Sequence, residues 1–489
     1  MNRTGSRVIG VLLAAAAFVA SAPASAQVTT AHGERVARIE KDIRPAPIVR
    51  GNATTIEARM RQLNVPGVSI AVVDSGKIVW AKAYGLADVA SNRPVTTETR
   101  FQAASMSKPV ASVAALKLVE QGKLSLDADI NTLLKSWKLP ANDFTNRKPV
   151  TLKMLLSHTG GVTVHGFPGY ASGASVPTVP QILDGTPPAN TQAVRVNIAP
   201  DSIWRYSGGG MTIAQQLMVD VTGKPFPALV RELVLDPAGM KSSGYEQPLP
   251  ETLVSSAAFA YDGRGNATYG RFHTYPEMMA AGLWTTPSDL GRFILEVQSA
   301  FAGKSKVITQ ETARAMLTPG LGQFGLGIQI GGAGDSLTFS HGGANAGYRG
   351  NFFGFVNSGR GMVVMTNGDA GAVISNEIIA AIGREYSMPG FRTLKEYTEV
   401  TLDPKQFDAY VGKYQLTPAL VISITRSTGN ELMTQATGQS AFPIFPMCDH
   451  KFFAKVTMLE TRFELDAQGK AIAMFVTQGG QTRRAPRVE

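Results

Sequence analysis

Phe101-Gln-Ala-Ala-Ser-Met-Ser-Lys108 holds the only Ser-x-x-Lys of the chain, and its reading decides the fold. A serine and a lysine three residues apart lie side by side across one helical turn, so Lys108 can take the proton that makes the Ser105 hydroxyl a nucleophile. The pair alone is weak, because ordinary serine and lysine usage gives roughly one or two such matches by chance in a chain of this length. Its setting is stronger. Val110, Val113, Ala114, Leu116 and Leu118 predict a buried helix over residues 107–121, with Ser105 at its beginning. A helix start offers free backbone N–H groups and the positive end of the dipole, both suited to an oxyanion.

Upstream, residues 68–74 and 78–84 are apolar runs parted by Ser-Gly-Lys, the pattern of a β-hairpin. Downstream, helical periodicity covers residues 152–157, 211–222, 226–235, 287–299 and 310–317. Residues 163–200 are rich in Gly, Pro, Ser and Thr, with Phe167 and Tyr170 among them, and form too long a stretch for a simple connector, so they are expected to fold over something. Strands are predicted over 324–330, 337–340, 351–355 and 361–365, then a helix over 372–385. After the linker-like Ser387-Met-Pro-Gly-Phe391 the helical pattern gives way to short strands over 421–425, 432–437, 452–456, 462–465 and 471–477, spaced like a meander or small barrel.

The N-terminus reads as an export signal: Arg3 and Arg7, an apolar run from Val8 to Ala20, and Ala24-Ser-Ala26 before Gln27. Removal would leave 489 − 26 = 463 residues, enough for at least two domains, exported to the periplasm or beyond and without a transmembrane anchor. The formal charge of +10 is scattered rather than gathered in a basic tract, which argues against nucleic acid as a partner. Cys448 is the sole cysteine, so no intrachain disulfide can form, and it reads as a small buried apolar residue. Six scattered histidines without a paired spacing make no zinc site.

Two further tripeptides matter: Tyr206-Ser-Gly208, 206 − 105 = 101 residues beyond the serine, and His341-Gly-Gly343, 341 − 206 = 135 beyond that. In this order, and joined by Leu155-Leu-Ser-His-Thr-Gly-Gly161, Pro237-Ala-Gly-Met240 and Gly282-Leu-Trp-Thr-Thr-Pro-Ser-Asp-Leu290, they resemble the serine β-lactamase and penicillin-binding-protein superfamily. The nearest branch looks like class C β-lactamases, DD-carboxypeptidases and related esterases. The tail from Tyr410-Val-Gly-Lys-Tyr414 resembles the lipocalin-like domain that follows some members.

The resemblance implies an α+β fold: an antiparallel sheet flanked by helices with an all-helical subdomain over residues 27–386, a linker over 387–399 and a lipocalin-like β-barrel over 400–489. It implies a serine hydrolase that needs no cofactor or metal and acts on a small-molecule or peptide substrate, with the oligomeric state open. Ser105 would be the nucleophile, Lys108 and Tyr206 would share its proton, and the N–H groups of Ser105 and Ala344 would hold the oxyanion. His341 stands where related enzymes carry a lysine, and Gly208 where many carry an asparagine that grips the substrate amide. Both departures point away from efficient β-lactam hydrolysis and toward a peptidase or esterase. A β-lactamase or DD-carboxypeptidase of cell-wall metabolism, and a penicillin-recognising protein that acylates without turnover, are the alternatives. Substrate contacts are expected from Gly208, Gly342, Gly343, Tyr170 and Trp204, whereas His158 reads as a structural hydrogen-bonding residue.

Overall fold

The computed structural model describes residues 30–45, 49, 51–268, 270–391, 396–418, 420–455, 459–478 and 481–489. The expected export signal lies outside the described residues.

The predicted hairpin is formed by β1 (Gly67–Asp74) and β2 (Lys77–Asp88), joined through Ser75 and Gly76 at φ 53° and 72°. Two successive left-handed residues match the right-handed twist of the strands they connect, which is why the short turn holds the register. Next in the chain come β3 (Arg93–Pro94), β4 (Phe101–Gln102), β5 (Trp284–Thr285), β6 (Gln329–Gly331), β7 (Thr338–Asn345), β8 (Tyr348–Phe355) and β9 (Arg360–Thr366). Seven of these make one sheet in the order β3-β2-β1-β9-β8-β7-β6, every neighbour antiparallel, while β4 and β5 form a separate ribbon. Pairing β1 with β9 unites the two ends of this part of the chain.

The central strands are buried on both faces. Val68, Ile70 and Val72 of β1 and Met362 and Val364 of β9 point one way, against Ile374, Ile378 and Ile382 of the helix Gly371–Glu385 and Val36 and Ile39 of the helix Thr30–Lys41. Val363 and Met365 point the other way with Phe339 and Phe352, against Phe293 and Ile294 of the helix Pro287–Phe301. Strand period two sorts the residues. Each fully buried Ile, Val or Phe contributes on the order of 1.5–3 kcal/mol, so a one-residue slip of β9 would be costly.

Beyond the Pro287–Phe301 helix lies the helical part. Its centre is the helix Ser107–Glu120, which is buried nearly all round from Ser107 to Leu118 and stands beside the helix Gly208–Thr222. A helix that is apolar on every side belongs in the interior. The sequence periodicity placed these helices within a few residues of their ends. One expected strand shrinks: residues 324–328 form a turn closed by a Phe324–Gln329 bridge, with Gly327 at φ 82°, and only Gln329–Gly331 is extended.

The C-terminal part is an eight-stranded antiparallel meander: β10 (Gly412–Thr417), β11 (Leu420–Arg426), β12 (Leu432–Ala436), β13 (Phe442–Cys448), β14 (Lys451–Ala454), β15 (Leu459–Leu465), β16 (Ala471–Gln478) and β17 (Gln481–Pro486). Lys413 N donates to Glu489 O at 2.9 Å and Val488 N to Lys413 O at 2.8 Å, bringing the first strand to the last in a nearly closed barrel. Tyr414, Ile424, Phe452, Phe463 and Met474 fill its interior. Cys448 is exposed at the end of β13, not buried as its residue type suggested, because the Asp449–His450 turn carries it clear of the packed interior.

The expected linker is tethered. Met388 is fully buried beside the Gly371–Glu385 helix. Tyr397 stacks on Phe453 with ring centroids 4.7 Å apart, donates to Glu460 at 2.7 Å and bridges to Val49 in parallel.

Candidate active site

Ser105 lies in the turn Ala104–Met106 that leads into the interior helix. Ala104 has φ 50°, a conformation an alanine adopts at a cost of the order of 1–3 kcal/mol, which the surrounding packing over-determines. Several ties hold this turn. Ala103 N donates to Leu283 O at 2.8 Å, and the Ser107 hydroxyl donates to Ala104 O at 2.5 Å while accepting from Leu283 N at 2.9 Å. Strand β7 is pressed against it at Gly343, where an added Cβ would lie 2.3 Å from Ala103 O. Glycine is required for that approach. Asn345, at the end of β7, secures the same junction by donating to Gln102 Oε1 at 2.8 Å and to Ala281 O at 3.1 Å.

Lys108 sits one turn into the helix, 2% exposed, with Nζ 3.0 Å from Ser105 Oγ and donating to Ala280 O at 2.7 Å. Among the described residues no carboxylate pairs with it. Burial alone brings its amine down from 10.5 to about 7, so near neutral pH a large fraction carries a free lone pair beside the serine. The Nζ atom lies 4.8 Å from the centroid of the Tyr206 ring. Burial pushes the Tyr206 hydroxyl well above its ordinary value, partly offset by its hydrogen bond with Ser105. Tyr206 therefore stays a phenol at neutral pH, a donor rather than a base.

Histidines and aromatics surround that tyrosine. His158 is 4.4 Å from its ring, His165 4.9 Å and His341 6.1 Å, with Phe324 4.8 Å from His158. His158 accepts from Ser207 N at 3.3 Å through Nδ1, and its backbone carbonyl accepts from Arg205 N at 2.9 Å. It thus holds the segment that carries Tyr206. Burial and the nearby Lys108 keep His158 neutral, and the same two causes bring His341 down to about 3. The Nδ1 of His341 lies 2.6 Å from Gly342 O, and a carbonyl only accepts, so Nδ1 bears the proton and Nε2 the lone pair.

These groups border a cleft of about 810 Å³. Of the residues expected from the sequence, Ser105, Trp204, Tyr206, His341, Gly342, Gly343 and Ala344 line it, with Lys108 beneath Ser105. Two do not. Tyr170 is buried at 4% exposure behind the wall, its hydroxyl accepting from Asn190 N at 3.2 Å, because the loop turns it inward to pair with Thr274. Gly208 is screened by Phe167, whose Cε2 would lie 3.0 Å from an added Cβ. The loop over residues 163–200 does cover the site, supplying His165, Gly166 and Phe167 to the cleft. Arg349, Asn351, Ser375 and Asn376 complete the opposite wall, and their sequence carries no local sign of it. The cleft-lining residues all lie between 105 and 376, so among the described residues the barrel contributes none.

A seven-stranded antiparallel sheet whose strand β7 faces a buried lysine at the head of an interior helix is the arrangement of the β-lactamase-like hydrolases. The chain belongs to the Beta-lactamase family, whose sequence model matches residues 52–386, while residues 396–485 match a family described as Domain of unknown function (DUF3471). Esterase EstB of Burkholderia gladioli is 30% identical over 204 residues, covering 40% of this chain and 51% of that protein. This chain therefore spans about half the length of that relative. Penicillin-binding protein 4* of Bacillus subtilis is 21% identical over 449 residues, 86% of this chain and 95% of that protein. The solved octameric penicillin-binding protein homologue from Pyrococcus abyssi has a TM-score of 0.60 at 20% identity, covering 88% of this chain and 98% of that one. Among the described residues no helix is long and apolar enough to cross a membrane.

Proposed function

We propose that this protein is an exported serine hydrolase that cleaves an amide or ester bond in small peptide-like substrates through an acyl-enzyme on Ser105. The observation that carries the reading is the fully buried Lys108 amine, 3.0 Å from Ser105 Oγ and without a carboxylate partner among the described residues. As a neutral amine Lys108 takes the Ser105 proton while Oγ forms a bond to the substrate carbonyl carbon. The N–H groups of Ser105 and Ala344 receive the oxyanion. As the carbon–leaving-group bond breaks, the leaving group takes a proton through the Tyr206 hydroxyl, which Lys108 replenishes. Water then attacks the ester, its proton passing to the same lysine–tyrosine pair, which hands it to Ser105 Oγ as the acyl–oxygen bond breaks and the acid is released.

Gly208 and His341 favour the peptidase or esterase reading over a β-lactamase or DD-carboxypeptidase. The first lacks an amide to grip an acylamido group, and the second lacks a positive charge for a carboxylate. Residues 27–386 act as the hydrolase domain in this reading, 387–399 as the link and 400–489 as an accessory barrel.

The test is turnover of p-nitrophenyl acetate and labelling by a fluorophosphonate. Both should disappear in Ser105→Ala; turnover that survives the substitution sinks the proposal. Nitrocefin hydrolysis at a rate matching the ester would favour the β-lactamase reading, and a lasting penicillin adduct seen by intact-mass spectrometry the binding-protein reading.

A further inference from the structure

Large apolar side chains left in water are ordinary when scattered and informative when they gather beside a site. Trp204, 37% exposed, is part of the lining of the Ser105 cleft. Ile203, 46% exposed, adjoins it in the chain, and Leu321, 47% exposed, adjoins Gly322, on which the indole rests. The ring is held firmly. A Cβ added to Gly322 would lie 2.5 Å from Trp204 Cγ, so the indole sits on bare backbone that only glycine provides, and Gly322 is itself at φ 68°. Gly320 N donates to Phe324 O at 2.9 Å and Gln323 N to Gly320 O at 3.2 Å, closing the turn beneath it. Phe324 flanks the ring at 5.9 Å, and His158 and Tyr206 at 6.4 Å each. A ring fixed on these sides and uncovered on the remaining one offers a ligand apolar area at little cost in ordering.

Its place beside Tyr206 says which part of a ligand would meet it. In the acyl-enzyme reading the Tyr206 hydroxyl hands the leaving group its proton, so the substituent on the departing atom starts next to that ring. Of the rings around Tyr206, His158 and His341 are buried, while His165 and Trp204 remain exposed. Trp204 is the one of these two that leads on to Ile203 and Leu321, which extend the apolar surface outward from the catalytic groups.

We propose that Trp204, with Leu321 and Ile203, forms an apolar subsite for the leaving group, so that the substrates of this hydrolase carry an extended alkyl or aromatic substituent on the alcohol or amine they release. The inference rests on the acyl-enzyme reading of the same cleft and names its substrate class. Contact with the indole removes apolar surface of both partners from water, and the gain grows with each methylene that reaches the ring. A polar chain of the same length must shed its own water there and finds no matching hydrogen bond on the indole face.

The test is a set of matched esters followed in a pH-stat. Ethyl, butyl and hexyl acetate release one acid from alcohols of similar reactivity, and 2-(2-hydroxyethoxy)ethyl acetate matches the hexyl chain in length. From ethyl to hexyl, kcat/KM should rise by about two- to fourfold per methylene, and the ether should fall about fivefold or more below hexyl. Trp204→Ala should cut the hexyl-to-ethyl ratio by about fivefold or more, Trp204→Phe should keep most of it, and Leu321→Ser should lower it by a smaller step. A second series, p-nitrophenyl acetate, butyrate and hexanoate, varies the acyl chain with the leaving group held constant. Its chain-length ratios should change less than about twofold in Trp204→Ala. Fluorophosphonate labelling of each variant checks that the site is folded, and should Trp204→Ala fail to fold, Leu321→Ser reads the same ratio. A leaving-group series that is flat in the unaltered protein overturns the subsite, even though p-nitrophenyl acetate is still cleaved through Ser105. So does a hexyl-to-ethyl ratio that Trp204→Ala leaves unchanged, or a loss of selectivity confined to the acyl series. Loss of the Ser105 dependence itself would instead overturn the acyl-enzyme reading.

Discussion

Replacing Lys108 with methionine should abolish turnover yet make the protein more stable at neutral pH. The amine is brought from 10.5 to about 7 by burial. At about 1.4 kcal/mol per pH unit, keeping that lysine inside costs the folded state on the order of 5 kcal/mol below pH 7. The sign follows from proton counting. Between about pH 7 and 10.5 the unfolded chain binds the proton that the folded chain has lost, so wild-type stability rises with pH across that window and the penalty is gone near 10.5. Methionine fills the same volume and has no such dependence, but it leaves Ala280 O, now 2.7 Å from Nζ, without its donor. That loss is worth about 1.5 kcal/mol. The net gain for Lys108→Met is therefore roughly 3 kcal/mol at pH 6.5, shrinking with pH and crossing zero between about pH 9 and 9.5. Urea unfolding followed by tryptophan fluorescence measures it cleanly, because Trp80, Trp137, Trp204 and Trp284 all precede residue 386 and report only the hydrolase part. A stability difference that stays flat from pH 6.5 to 9.5, or a methionine variant less stable at pH 6.5, would refute the reasoning that the lysine is held neutral by desolvation.

Tyr206→Phe removes a hydroxyl that stays protonated at neutral pH and touches Ser105. It should lower kcat by about 10²–10⁴ with little change in KM, while the rise of activity with pH through 7, set by Lys108, persists in the residual rate. Gly343→Ala places a methyl 2.3 Å from Ala103 O, a backbone atom that must move, and should slow fluorophosphonate labelling of Ser105 by about 100-fold. Gly208→Asn drives a Cβ to 3.0 Å from Phe167 and 3.1 Å from His165 O. It should cost about 1–3 kcal/mol in thermal unfolding without raising nitrocefin turnover, and adding Phe167→Ala should recover much of that loss.

What the sequence made legible was whatever depends on short spacing. The Ser105–Lys108 pair, the interior helix after it and the β1–β2 hairpin follow from period 3.6, period 2 and a Ser-Gly turn, each contained within a dozen or so residues. The opposite wall was not legible, because Arg349, Asn351 and Ser375 meet the site only through the pairing of β7 with β8 and the return of the last helix over the sheet. Tyr170 misled for the same reason: a loop rich in glycine and proline says that an aromatic is near, not which way it faces. In the barrel, β13 was hidden by Pro443 and Pro446 and β17 by its arginines, yet both pair along their length because neighbouring strands supply the apolar interior. Cys448 escaped burial because a strand end, rather than its side chain, decides its place.

The two departures from the penicillin-recognising pattern are each built into their surroundings, and that bears on what kind of site this is. Phe167 occupies the space that a side chain at position 208 would enter, and His165 O closes it from the other side. His341 is fixed by its own Nδ1 hydrogen bond and packed 6.1 Å from both Tyr206 and Phe324. A site that had merely lost two substrate contacts would leave holes where they had been, and holes in a close-packed interior carry a cost. Here the volume is refilled with aromatic rings, and a permanent charge at the third motif is replaced by a lone pair. Restoring an asparagine at 208 alone would therefore strain the cleft instead of reviving another activity, because Phe167 and His165 O already fill the space its side chain needs.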